Sequence, residues 1–119
     1  MFNIYAYKYA PMEELVDPCE MKVIPIGYKG ETFARCMVFD LKKCITELGE
    51  GSFVVKVKPK GSTAYEAANT DQLDDQAIWI IDDTDTATAG EGYVQLIYTA
   101  ESDAVAMTAT YKTFVFDSL

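Results

Sequence analysis

Three aspartates within four positions, Asp82, Asp83 and Asp85, are the first group of side chains to consider as ligands. Clustered carboxylates suit hard cations such as calcium, but an EF-hand loop needs glycine at its sixth position and glutamate at its twelfth. Counted from Asp83, these positions hold Thr88 and Val94. The segment does not match a calcium loop, and we expect no metal site there.

The same aspartate segment is suited instead to a single helical turn between two strands. Asp83, Thr84 or Asp85 can cap such a turn, and Gly90 can end it. In this interpretation the acidic side chains are solvated. A second acidic group falls in a predicted polar loop over residues 69–75 and consists of Asp71, Asp74 and Asp75.

Enzyme chemistry finds little support among the residue types of the chain. It has no histidine, which excludes the usual catalytic triads and nearly all zinc enzymes. The serines, cysteines and lysines show no nucleophile elbow. Two of the nineteen acidic residues could act as a glycosidase pair, but nothing in the sequence places two of them in an apolar pocket. We therefore expect a protein that is not an enzyme, with no catalytic residue, no cofactor and no metal ion.

Tyr5, Tyr7 and Tyr9 alternate along a predicted strand over residues 2–9 and share one of its faces. Aromatic side chains give a large contact area at low entropic cost, which favours an interaction face. The alternative is that they cover a sheet or pack under the helix. We hypothesise that the three lie between subunits: replacing all three with serine should lower the solution mass measured by light scattering, whereas an unchanged mass in a folded variant would contradict this.

The net charge limits the possible partners. Ten basic and nineteen acidic residues give a formal charge of -9, which repels phosphate backbones and anionic lipids. We expect neither nucleic acid nor membrane as a partner. The N-terminal sequence lacks the basic start and apolar run of a signal peptide, so we expect cytoplasmic synthesis.

The three cysteines of the chain, Cys19, Cys36 and Cys44, are predicted to be mostly buried free thiols, with one disulfide and one remaining thiol as the alternative.

The elements that position these residues are mainly strands. The chain has 119 residues, half of them hydrophobic, which suits one domain over residues 1–119. Period-two alternation recurs in about seven short segments with turn signals between them. Leu41, Cys44, Ile45 and Leu48 instead follow a helical period within residues 40–49. We therefore predict an all-β, two-sheet antiparallel sandwich of immunoglobulin-like architecture, with one or two short helical turns.

Four expectations are specific enough to test in the structure. Pro25 predicts an edge strand or a bulge. The apolar residues on both faces of 32–39 predict a central strand. The run from Val105 to Phe116 predicts one long strand in which Val105, Met107, Thr113 and Val115 share a face. Asp40 is predicted to cap the helix and Gly49 to end it in the left-handed conformation.

The order of motifs over residues 33–119 resembles a family of phage proteins. Its most specific part is the strand Ile78-Trp79-Ile80-Ile81 followed by Asp85-Thr86-Ala87, Ala89-Gly90 and Gly92. This pattern is similar to the N-terminal domain of prophage tail-fibre and baseplate-type structural proteins of Gram-positive gut bacteria. Such domains carry a tryptophan at the position of Cys44, and they usually continue beyond the position of Leu119 into a fibre or receptor-binding region.

The resemblance implies a non-catalytic sandwich for virion assembly that contacts copies of itself and other virion proteins, and hence a place in the virion. Two alternatives from other classes remain open. One is a carbohydrate-binding or adhesin-type sandwich that uses surface tyrosines. The other is an acidic decoy that imitates nucleic acid and blocks a basic protein.

Overall fold

The computed structural model describes residues 6–9, 23–107 and 110–117, with residues 6–9 described by their backbone alone. The elements in chain order are β1 (Ala6–Tyr9), β2 (Ile24–Tyr28), β3 (Arg35–Asp40), α1 (Lys42–Leu48), β4 (Gly51–Lys58), β5 (Glu66–Ala67), β6 (Thr70–Leu73), β7 (Gln76–Ile81), β8 (Gly90–Ala100), β9 (Val105–Met107) and β10 (Tyr111–Phe116). Strands thus dominate, as the sequence predicts.

The strands form two sheets. The four-stranded sheet has the order β1-β3-β7-β6, and the six-stranded sheet has the order β2-β10-β8-β4-β5, with β9 also paired to β8. The pairing of β10 with β2 is parallel. The other pairings between described strands are antiparallel. The predicted all-β, two-sheet sandwich is confirmed, with this one parallel pair as a departure.

One hydrophobic core lies between the two sheets. Alternate residues of its main strands, such as β4, β7 and β8, point into it, because successive side chains of a strand point to opposite faces. The described residues that the four-stranded sheet contributes to this core are Met37, Phe39, Ala77, Trp79 and Ile81. Those of the six-stranded sheet include Ile24, Val55, Val57, Val94, Leu96, Tyr98 and Val115. The alternation predicted for 52–58 and 93–99 is therefore confirmed.

The expectations for Pro25 and for the central strand are both confirmed. β2, which contains Pro25, lies at the edge of its sheet, and its register against β10 shifts next to Pro25. β3 lies between β1 and β7, although it begins at Arg35. Phe33 precedes it in a loop, with a positive φ of 55° and 68% of its surface exposed, so it is not part of the strand as predicted.

The predicted helix forms, and Asp40 accepts a hydrogen bond from its first turn as predicted, but the helix begins one residue later than a cap at Asp40 implies and its C-terminal end differs from the prediction. Leu41 is the N-cap and has no side-chain cap hydrogen bond, while the Lys42 N–H donates to Asp40 Oδ1 at 2.9 Å. Gly49 has φ 86° and ψ -179°, which is outside the left-handed helical region. The Tyr98 hydroxyl donates to the Gly49 carbonyl oxygen at 2.7 Å. This bond joins the end of the helix to β8.

The prediction of a polar loop over residues 69–75 was wrong. Thr70–Leu73 is strand β6, which pairs with β7 at the edge of the four-stranded sheet. An edge strand needs only one partner and tolerates charged residues, so its polar composition concealed it. Asp74 has a positive φ of 53° and forms the tight turn with Asp75.

The run from Val105 to Phe116 is divided by a change of register. β9 pairs Val105 with Thr99, and β10 pairs Tyr111 with Val94, so one extra residue lies between the two pairings. One inserted residue reverses which side chains face the core. Val105 is therefore exposed although Val115 is buried, and the prediction that they share a face was wrong.

Candidate functional site

The aspartate segment between β7 and β8 is a turn capped by Asp82. The Thr84 N–H donates to Asp82 Oδ1 at 3.0 Å, and the Asp85 N–H donates to the Asp82 carbonyl oxygen at 3.0 Å. The single turn was predicted, but its cap is Asp82 and not Asp83, Thr84 or Asp85. Gly90 is the first residue of β8 and has a positive φ of 126°.

Asp85 points into the protein, which overturns the prediction of a solvated side chain. It is 4% exposed, and its Oδ2 accepts hydrogen bonds from Trp79 Nε1–H at 3.2 Å and from the Asp82 N–H at 3.0 Å. Burial raises the pKa of Asp85 to about 6, although the N–H of Asp82 opposes the shift. The available clue was Trp79, whose buried indole N–H needs an acceptor.

This buried carboxyl group is an anchor for the turn. Its carboxylate binds two protein donors, and Asp82 is engaged with the backbone of the same turn. In residues 23–107 and 110–117, no three His, Cys, Asp or Glu side chains are grouped so that they could hold a metal ion. The arrangement fixes the position of the 82–86 turn over the end of the core.

The cysteines and tyrosines singled out in the sequence are only partly described. Cys36 and Cys44 are thiols, and burial raises the pKa of the Cys44 thiol. Cys19 and Tyr5 lie outside the described residues. The register places Tyr7 opposite the buried Met37 and Tyr9 opposite Arg35.

Residues directly opposite in an antiparallel pair share a face of the sheet. The register position of Tyr7 is therefore on the same face as Met37, which belongs to the core. That Tyr5, Tyr7 and Tyr9 form an interaction face stays a prediction.

A different surface of the molecule concentrates basic side chains. On the face of the six-stranded sheet that points away from the core, the register aligns Lys58 of β4, Tyr93 of β8 and Lys112 of β10 in one row. The next row pairs Lys56 with Gln95. We call these five residues the lysine face. No ion pair within the described part of the chain involves its three lysines.

A groove of about 270 Å³ borders the lysine face at the turn after β4. Lys60, Ser62, Glu91 and Tyr93 are among its lining residues. Beside the groove, the backbones of β4 and β8 lie close together because Gly92 has no side chain. A Cβ added at Gly92 would lie 2.7 Å from the Lys58 carbonyl oxygen. The sequence offered no sign of this groove, because its two sides come from separate strands.

Apolar side chains flank the lysine face on two sides. On one side Tyr28, Phe114 and Phe116 form an aromatic cluster, with ring centroids of Phe116 5.4 Å from Tyr28 and 5.2 Å from Phe114. On the other side Ile97 pairs with Val54 and with Met107, which is 49% exposed. A basic centre with apolar borders is a composition that suits a contact with another macromolecule.

Comparison with known proteins adds no assignment to this geometry. No protein-family model matches the chain, and no curated protein sequence matches it. Within the described segments, no helix has the length and apolar character needed to span a bilayer.

Proposed function

We propose that this chain is a non-catalytic structural module of a phage tail or baseplate that acts through protein–protein contacts. The observation that supports the proposal most directly is the lysine face with its apolar borders. The family resemblance over residues 33–119 supplies the biological setting, and the all-β sandwich agrees with it. The proposed partners are copies of the chain and other virion proteins, so the protein would be made in the cytoplasm and end in the virion.

Charge segregation supports contacts with proteins. Four of the ten basic residues of the chain lie on the lysine face or beside it: Lys56, Lys58, Lys60 and Lys112. The whole chain carries a formal charge of -9, so the basic area is local and opposite in sign to the rest. Such an area attracts acidic partners and orients them. Exposed aromatic residues at its border, including Phe116, provide apolar contact area.

A second candidate function is the binding of an acidic carbohydrate. The groove beside the lysine face favours it, because Tyr93 can support a sugar ring while Lys60 and Ser62 offer hydrogen-bond donors. The acidic side chain of Glu91 in the same groove opposes an anionic ligand. We therefore rank carbohydrate binding below assembly.

The assembly proposal predicts that the chain is a component of phage particles. Particles released from the encoding strain after prophage induction should contain its peptides in the tail fraction, as detected by mass spectrometry. The purified protein should show no specific signal on an array of acidic glycans. Absence from purified particles would contradict the proposal, and an array signal lost in a Tyr93→Ala variant would support the carbohydrate alternative.

A further inference from the structure

We infer that the lysine face of one copy of this chain docks on the β6–β7 hairpin of a second copy, so that copies join head to tail. This inference rests on the proposed assembly function and specifies one of its contacts. It combines two surfaces of opposite charge that lie on different sheets of the same molecule.

The first surface holds three cationic groups in a small area. Lys58 and Lys112 lie on either side of Tyr93 in one row across three strands, and Lys56 lies in the next row. No described carboxylate forms an ion pair with these lysines. A carboxylate of another molecule can therefore pair with these lysines without replacing an ion pair among the described residues, and Tyr93, which lies between Lys58 and Lys112 in the row, offers an apolar ring.

The second surface offers the complementary groups. The hairpin carries Asp71, Asp74 and Asp75, all exposed, and an apolar side chain in their midst, Leu73, which is 60% exposed. Gln72 pairs with Ala77, which is buried in the core face of the sheet. Asp71 and Leu73, on either side of Gln72, pair with Ile78 and Gln76. Asp71 and Leu73 therefore share the outer face of the four-stranded sheet.

The match between the two surfaces is both electrostatic and apolar. Carboxylates around Leu73 meet lysines around Tyr93, which supplies an ion pair and an apolar contact at the same place. Asp71 in β6 and the two aspartates of the turn after it hinder direct pairing of two edge strands, so contact through side chains is favoured over strand addition. An acidic protein elsewhere in the particle is the other possible occupant, and the experiment separates it from a second copy.

The placement of the surfaces determines the type of assembly. The lysine face belongs to the six-stranded sheet, and the hairpin belongs to the four-stranded sheet. A contact between two different surfaces is heterologous, so each copy can receive one neighbour and contact another. Such contacts produce rings when the rotation closes and filaments when it does not.

The test uses light scattering on the full chain with two sets of charge reversals. The wild-type mass should rise above the 13.2 kDa of one chain as concentration increases. The face variant Lys58→Glu/Lys112→Glu and the hairpin variant Asp71→Lys/Asp74→Lys should each associate roughly 100-fold more weakly, because each places like charges together. A chain that carries all four reversals should associate again, since its surfaces are once more complementary.

The matched control is Lys29→Glu/Lys42→Glu. It changes the net charge by the same amount as the face variant, but at two exposed lysines outside the lysine face. Its association should stay near the wild-type value, and circular dichroism should show strand structure in every variant. A wild-type protein that stays at 13.2 kDa at all concentrations overturns the inference. So does a four-reversal chain that remains monomeric.

The two proposals fail in different ways. If the chain is monomeric in solution but its peptides occur in phage tails, the assembly function stands and docking between copies is wrong. The acidic partner is then another virion protein. If the chain associates through these surfaces but is absent from phage particles, docking between copies stands and the phage setting is wrong.

Discussion

Replacing Trp79 with alanine should lower the free energy of unfolding by about 3–5 kcal/mol, the range for truncation of a large buried aromatic residue. Trp79 is 1% exposed and is the largest fully buried side chain of the described core. The substitution leaves a cavity between the sheets, and it also removes the indole N–H that donates to Asp85. Urea unfolding followed by far-ultraviolet circular dichroism measures the loss.

Phenylalanine at the same position separates the two effects. Trp79→Phe keeps most of the buried ring but removes the donor to the Asp85 carboxylate, so it should cost about 1–3 kcal/mol. An alanine variant no less stable than the phenylalanine variant would show that core packing at Trp79 contributes little. A phenylalanine variant as stable as wild type would show that the bond to Asp85 is dispensable.

The Asp85→Asn substitution should change how stability depends on pH. Burial raises the pKa of Asp85 from 3.8 to about 6. The folded protein thus favours the protonated form of Asp85. Protonated Asp85 makes its full contribution to the free energy of unfolding below about pH 4, and this contribution is lost as the pH rises through 6. A shift of about two pKa units corresponds to about 3 kcal/mol.

Asparagine cannot ionise, so the variant avoids this loss. Its free energy of unfolding relative to wild type should therefore rise by about 2.5 kcal/mol between pH 4 and pH 7, whatever its stability at pH 4, because part of the full effect already falls below pH 4. Denaturant unfolding at several pH values measures this difference. Asp83→Asn, on the exposed side of the same turn, is the control and should show a much smaller change. Parallel curves for Asp85→Asn and wild type would contradict the assignment.

Much of the fold could be predicted because its signals are local. Apolar and polar residues alternate in β4 and β8 because every second side chain is buried, and this pattern can be recognised in the sequence. Pro25 marked an edge strand because proline cannot donate a backbone hydrogen bond. The helix was visible in the spacing of Leu41, Cys44 and Leu48. Each of these inferences needed only neighbouring residues.

The features that the sequence did not reveal depend on contacts between distant segments. The inserted residue between Met107 and Tyr111 is visible only when both pairings to β8 are known. The burial of Asp85 depends on the core that surrounds Trp79. The lysine face required the alignment of three strands, since Lys58 and Lys112 lie far apart in the sequence. A single sequence places none of these residues side by side.

The parallel pairing of β2 with β10 has a consequence for the order of events during synthesis. β2 pairs with β10 along its described length, and the two strands lie near opposite ends of the described chain. In a nascent polypeptide, Ile24 and Ile26, which are buried in the finished protein, therefore lack their pairing to β10 until residue 115 has left the ribosome. Closure of a loop of this length belongs among the late and slow steps of folding.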